Sequence, residues 1–266
     1  KTPGQTNPFY CAMVEQLDYY VGQVIHSLET TDDPRWPGHK LMENTYVFFT
    51  SDNGGIRSIS NQSPLRAGKG SYYEGGIRVP LIFSWQGKIN AGTKSYERVS
   101  NIDFYPTIKN IIGHNNKNLE LDGIDLNPIF EGKKLDKRAL FFHFPIYLEA
   151  YNVQKDAGRD PLFRTRPGSV IIKDNWKLHH YFEDNALELY NIVEDVSESK
   201  DLSKINKEKT KELFDDLKKW RNDKNAPIPS EKNPKYNQKF VDSLIFLIKD
   251  KKLSGRVKGL IRDLDH

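Results

Sequence analysis

The sequence predicts an α/β protein, a sheet layered with helices, followed by a smaller α+β subdomain. Three observations carry this. A helical pattern, a strand pattern, a long polar loop, a second strand and a second helix succeed one another through the first 112 residues, the order of an α/β layer. After about residue 135 short strands follow in quick succession, two of them joined by a two-residue turn. Hydrophobic residues make up 37% of the 266 and charged residues 29%, enough apolar material for a sizeable core and too much for a disordered chain.

Residues 9–28 form an amphipathic helical pattern. Phe9, Met13, Leu17, Tyr20, Val21, Val24, Ile25 and Leu28 recur at steps of three and four and so share a face. Asn7 suits the N-cap and Pro8 the first helical position. Cys11 is expected to be a small buried residue of this helix. A turn-rich segment, Thr31–Gly38, leads to Thr45–Thr50. That aromatic and β-branched run lacks clean alternation, so it predicts a strand buried on both faces, as in a parallel sheet. Residues 56–78 are too long and glycine-rich for a simple connector, which marks them as functional. Val79–Ser84 predicts a second buried strand, and Asp103–Ile112 a helix capped by Asp103.

In the second half Ala139–Phe144 predicts a strand. Ser169–Lys173 and Trp176–Tyr181 flank Asp174-Asn175 as a hairpin, and Leu187–Tyr190 adds another strand. Asn206–Asn222 predicts a helix with Leu213, Phe214, Leu217 and Trp220 on one face, and Phe240–Ile248 a further one. The expected domains are 1–135 (α/β layer), 136–237 (a four-stranded antiparallel sheet with a covering helix) and 238–266 (a helical tail).

Composition removes several function classes. The net charge is only +4, and the basic runs Lys200–Lys224 and Lys249–Arg262 are interleaved with acids, the pattern of a solvated helix face rather than of a nucleic-acid footprint. One cysteine excludes an internal disulfide framework and a cysteine-rich zinc site. The longest near-apolar stretch, around Leu244–Ile248, is far below the roughly 18–20 residues of a membrane span. No signal peptide is expected in the first thirty residues, and the start at Lys1 predicts a mature or excised piece.

Two segments could carry chemistry. Asp52-Asn53 ends a predicted strand, and ligand sites of open α/β sheets lie at such ends. Carboxylate and amide oxygens suit a hard cation, Ca2+ or Mg2+. The competing reading is an Asx-turn, because Asp-Asn-Gly-Gly is favourable turn chemistry. The second segment is Arg66-Ala67-Gly68-Lys69-Gly70 with Tyr73–Pro80 behind it. A lysine bounded by glycines can lie against an oxyanion as a point charge, or be an ordinary surface lysine. Glu74 and Arg78 are expected to pair and pin the loop.

Taken together these segments resemble the C-terminal part of a type I, formylglycine-dependent sulfatase of the alkaline phosphatase superfamily. The matching text is TYVFFTSDNGG (Thr45–Gly55), LRAGKGSYYEGGIRVPLIFSWQG (Leu65–Gly87), NIDFYPT (Asn101–Thr107) and LDGIDL (Leu121–Leu126). ALFFHFP (Ala139–Pro145), RPGSVI (Arg166–Ile171) and LELYNIVED (Leu187–Asp195) complete it. The order is the family's and the match reaches about Asn237. The resemblance implies an alkaline-phosphatase-like mixed sheet with helices on both faces. It implies metal ligation by Asp52 and Asn53 to Ca2+, with Mg2+ as the other hard cation, and contact of Lys69 with sulfate oxygens as a catalytic and substrate-binding residue. It also implies a substrate-side position for His143. The aromatic and basic segment Phe144–Arg166, with Tyr147, Tyr151, Arg164 and Arg166, is expected either to bind a sulfated carbohydrate, with Arg166 among the substrate-binding residues, or to be a solvated loop.

The family's nucleophile motif, C/S-x-P/A-x-R, is not found. Cys11 sits in Cys11-Ala12-Met13-Val14-Glu15, and Ser63-Pro64-Leu65-Arg66 has the wrong spacing. The formylglycine and the other metal ligands are therefore expected in an N-terminal half that is this chain's partner, and the fragment alone is expected to be inactive. The implied reaction is hydrolysis of sulfate monoesters in a periplasmic or extracellular setting. The alternatives are a phosphodiesterase or phosphonate hydrolase of the same superfamily, or a non-catalytic pseudosulfatase module.

Overall fold

The structure, a computed structural model, describes residues 4–114, 119–231 and 233–255. In chain order its elements are α1 (Pro8–Thr30), β1 (Val47–Thr50), a short α2 (Glu74–Ile77), β2 (Leu81–Ser84), α3 (Phe104–Ile111) and α4 (Asn127–Phe130). There follow β3 (Ala139–Phe144), β4 (Leu148–Glu149), β5 (Phe163–Thr165), β6 (Gly168–Lys173), β7 (Trp176–Tyr181), β8 (Leu187–Asn191), α5 (Lys207–Asp223) and α6 (Gln238–Lys249). The chain divides into two units. One contains residues 9–52 and 79–137; the other contains 1–8, 53–78 and 138–266. The end of the basic run, residues 256–262, lies outside the described residues.

In the first unit β1 and β2 pair antiparallel, Val47 opposite Ser84 and Thr50 opposite Leu81. This corrects the expectation of a parallel strand buried on both faces. Phe48 and Phe83 turn inward and meet edge-on at 4.7 Å, packing with Phe104, while Phe49 and Ile82 face outward. The alternation is hidden in the sequence because an aromatic or aliphatic residue occupies both faces. α1 forms as expected, but none of its residues is buried, and Phe9 is 81% exposed. Its apolar stripe is only partly covered, Val21, Ile25 and Leu28 being half-buried, and Cys11 is half-exposed rather than buried. Asp103 does not cap α3 with its side chain. Its carboxylate instead accepts the backbone N–H groups of Ser100 (2.8 Å) and Ile124 (3.0 Å), tying the LDGIDL turn to the helix start.

The second unit is built on the antiparallel sheet β3-β6-β7-β8. The hairpin is in the expected register, Lys173 opposite Trp176, with Asp174 at φ +50° in the turn. Alternate residues of the sheet serve two cores, as the period of two requires. Ile171, Leu178 and Leu189 pack under Leu213 and Leu217 of α5. Val170, Ile172, Leu140 and Tyr190 pack on the opposite face under Ala67, Tyr72 and Tyr73. The glycine-rich loop is therefore the second cover of this sheet. The Asn206 side chain caps α5 by accepting the Lys209 N–H at 3.2 Å. α6 packs Val241, Leu244 and Ile248 against Ala150, Val153 and Leu162.

Candidate active site

The loop from Asn53 to Arg78 is held by backbone crossings that only glycine permits. Gly54 N–H donates to the Gly76 carbonyl at 2.9 Å, Lys69 N–H to Gly55 at 2.9 Å and Gly75 N–H to Arg66 at 2.9 Å. A Cβ on Gly54 would stand 1.8 Å from the Gly75 oxygen, and one on Gly76 would stand 2.2 Å from the Ser71 oxygen. The strands of the loop thus touch backbone to backbone. The crossing at Gly55 fixes Lys69 beside the segment that begins with Asn53.

Lys69 is held on its other side by Arg164 of β5, whose Nη1 donates to the Lys69 carbonyl at 3.1 Å. The Arg164 Nε donates to the Glu149 carbonyl at 2.8 Å, and its guanidinium stacks over Tyr151 at 3.7 Å. Arg57 donates to the Leu65 carbonyl at 3.1 Å. Arg57, Lys69 and Arg164 line one hollow with Ser71, Tyr151 and Asp156. None of the three cations is in a salt bridge to a carboxylate among the described residues. The only acid there, Asp156, directs one oxygen to the backbone N–H groups of Tyr151 (2.5 Å) and Asn152 (3.1 Å). The hollow has no room for a water molecule, the Arg57 and Arg164 guanidiniums donate to main-chain carbonyls, and the second Asp156 oxygen is buried without a hydrogen-bond partner, so its lining acts as packing behind the Lys69 loop.

Asp52 follows β1 and is exposed; its carboxylate receives a long 3.5 Å contact from the Ser51 hydroxyl. Asn53 is half-buried. Their oxygen donors fit a hard cation in kind, and two residues are fewer than the six to eight ligands that Ca2+ takes. No group of three or more His, Cys, Asp or Glu side chains able to hold a metal occurs among the described residues.

His143 and Arg166 are engaged within the fold. The His143 Nε2–H donates to the Pro227 carbonyl at 2.9 Å and its Nδ1 accepts from the Ser169 hydroxyl at 2.8 Å. Burial, with the nearby Arg221 charge, holds its pKa below the usual histidine value against the pull of the Pro227 carbonyl. Arg166 forms ion pairs with Asp160 and Glu183 and is only 11% exposed at its side chain. Burial opposes its charge, but the two carboxylates outweigh burial and raise its pKa. Neither residue lines the hollow.

The sequence reading missed a buried ionic cluster under the loop. Lys177 on β7 is wholly buried and pairs with Glu74 (3.1 Å) and Glu198 (2.9 Å). Glu74 also meets Arg78 at 3.5 Å, the expected pair, so that pair is the rim of a larger assembly. A lysine between Trp176 and Leu178 reads as solvent-facing; only the loop folded over that face makes it internal.

Comparison with known proteins gives one family. The sulfatase family model matches residues 5–114, and the model described as N-sulphoglucosamine sulphohydrolase, C-terminal, matches residues 68–226. A sulfatase of Formosa agariphila is 38% identical over 245 residues, covering 85% of this chain and 41% of the relative. Human steryl-sulfatase is 34% identical over 153 residues, 53% of this chain and 25% of the relative. Among solved structures, Ps i-CgsB in complex with k-i-k-neocarrahexaose superposes with a TM-score of 0.64 at 27% identity, over 93% of this chain and 49% of that one. The chain thus spans under half the length of these relatives.

Proposed function

The chain belongs to the sulfatase family, and we propose that, joined to the remainder of such a protein, it hydrolyses sulfate monoesters. The observation that carries this is the glycine crossing that fixes Lys69 beside the segment beginning with Asn53. In the proposed site Lys69 faces the sulfuryl oxygens and offsets charge that grows on them as the ester bond breaks. Arg164 fixes the Lys69 main chain from one side and Gly55 from the other, so the ammonium is presented from a backbone that does not need to reorganise. Asp52 and Asn53 would give oxygens to Ca2+, or to Mg2+, which when bound would polarise the sulfate ester as a Lewis acid. The nucleophile, a formylglycine in this family, and the remaining metal ligands belong to the N-terminal half.

The neighbour bound to neocarrahexaose supports a sulfated carbohydrate as the substrate class, and Arg164 and Tyr151 are the residues we assign to the sugar side. Arg166 and His143, both satisfied internally, are assigned to holding the fold. A periplasmic or extracellular setting follows from the family reading; no helix among the described residues is long and apolar enough to cross a membrane.

The test is Lys69→Ala in the full-length protein, assayed on an aryl sulfate and the matching aryl phosphate. We expect the wild type to prefer the sulfate. We expect the variant to lose about 10²–10³ in kcat, the scale of removing one oxyanion-stabilising group, with an unchanged melting temperature. Near-normal turnover by the variant would remove Lys69 from the chemistry, and cleavage of the phosphate alone would overturn the sulfatase reading.

A further inference from the structure

Lys69 stands within a nine-residue excursion, Arg66 to Glu74, and both ends of it meet one residue. The Arg66 Nη1 donates to the main-chain carbonyl of Glu198 at 3.0 Å. The backbone N–H of Glu74, first residue of α2, donates to the Glu198 carboxylate at 2.6 Å. The second carboxylate oxygen of Glu198 faces Lys177 Nζ at 2.9 Å, and Lys177 in turn holds the Glu74 side chain at 3.1 Å. Glu198 is fully buried and adopts φ +49°, a left-handed conformation that a glutamate rarely takes. Burial opposes its charge, yet contact with His179 and Lys177 keeps its carboxyl below the usual range, so it is ionised where it binds.

Stability alone does not account for this arrangement. Buried ion pairs are often no better for stability than an apolar replacement, and a positive φ adds backbone strain. What the arrangement does achieve is geometric. One residue uses its carbonyl for the start of the excursion and its carboxylate for the end, and so fixes the chord across which Lys69 is carried. We propose that Glu198 is the positioning residue of Lys69, a staple that sets where the lysine's ammonium stands. The inference rests on the reading that Lys69 faces the sulfate.

Two measurements on the full-length protein test it. The first is amide hydrogen exchange in Glu198→Gln, which keeps the shape and removes the charge. Charge-assisted hydrogen bonds are about twice as strong as neutral ones, so the Lys69 and Gly75 amides should exchange about fivefold faster while the β6–β7 amides stay as in wild type. Unchanged exchange at Lys69 and Gly75, or equal acceleration throughout the sheet, overturns the staple. The second is a double-mutant cycle in kcat on an aryl sulfate. Glu198→Gln should lower kcat tenfold or more when Lys69 is present and less than twofold in the Lys69→Ala background. An equal loss in both backgrounds means a general structural role and overturns the proposal, as does no loss in either. Should Glu198→Gln fail to fold, Arg66→Lys, which keeps the charge and loses the fork reaching the Glu198 carbonyl, runs the same two measurements. A wild type inactive on every sulfate would refute the sulfatase reading, and the exchange measurement would still decide the staple.

Discussion

Gly54→Ala probes the backbone crossing that brings Asn53 to the Lys69 loop. The added methyl would lie 1.8 Å from the Gly75 oxygen and 2.7 Å from its carbonyl carbon, both backbone atoms that cannot rotate away. Restoring an ordinary contact of 3.4 Å requires a separation of about 1.6 Å between the two segments. That is enough to break the 2.9 Å bond from Gly54 N–H to the Gly76 carbonyl. The lost hydrogen bond contributes about 1 kcal/mol and the overpacking about 1–3 kcal/mol, so the variant should be destabilised by about 2–4 kcal/mol. At roughly 2 °C per kcal/mol for a chain above 200 residues, thermal unfolding of the full-length protein should fall by about 4–8 °C. A displacement of this size beside Lys69, the lysine proposed to face the sulfate, should also cut turnover about 10²-fold. Gly22→Ala is the control: it lies in α1 with nothing within 4 Å of its added Cβ. It should be neutral or stabilising by about 1 kcal/mol, the helix-propensity difference. If Gly54→Ala melted within 1 °C of wild type and turned over normally, the crossing would not be what holds the loop.

Two further outcomes are expected. Arg164→Gln should raise KM for a sulfated oligosaccharide at least fivefold more than for a small aryl sulfate. Arg166→Gln should leave that ratio alone and cost about 3 kcal/mol of stability by uncompensating two carboxylates, seen as a lower melting temperature; matched kinetics and melting curves of the two variants separate the roles, and equal KM effects on both substrates for Arg164→Gln would cancel its sugar-side assignment. His180 is buried under α5, and burial followed by the Arg221 charge pushes its pKa down to about 4. Because its folded value lies below the ordinary 6.5, the unfolded chain binds more protons between those values. Stability from the neutral ring is therefore complete above pH 6.5 and is lost as pH falls toward 4. Protonation also removes the acceptor of the 2.8 Å bond from Arg221 Nη1 to His180 Nδ1. The melting temperature should fall less steeply from pH 7 to 4.5 in His180→Leu than in wild type, and parallel slopes would exclude His180 as the titrating group.

The legible parts of this protein were those set by neighbours in sequence. The hairpin around Asp174-Asn175, the strand Ala139–Phe144 and the helix after Asn206 follow from side-chain period and turn residues, which act over a few residues. The text around Asp52, Asn53 and Lys69 also pointed to its family. What stayed hidden depends on partners far along the chain. Arg164 and Arg166 are the same residue type two positions apart, and sequence gives no ground to separate them. Asp160 and Glu183 neutralise one, while the other meets main-chain carbonyls at Lys69 and Glu149 and forms no salt bridge among the described residues. Lys177 occupies a position that alternation leaves to solvent, and the folded loop makes it the buried partner of Glu74 and Glu198. Local pattern decides which way a side chain points along its own strand. What it meets there is decided by long-range packing, because the energy of a charge depends on the opposite charge, water or bare hydrocarbon that the rest of the fold brings to it.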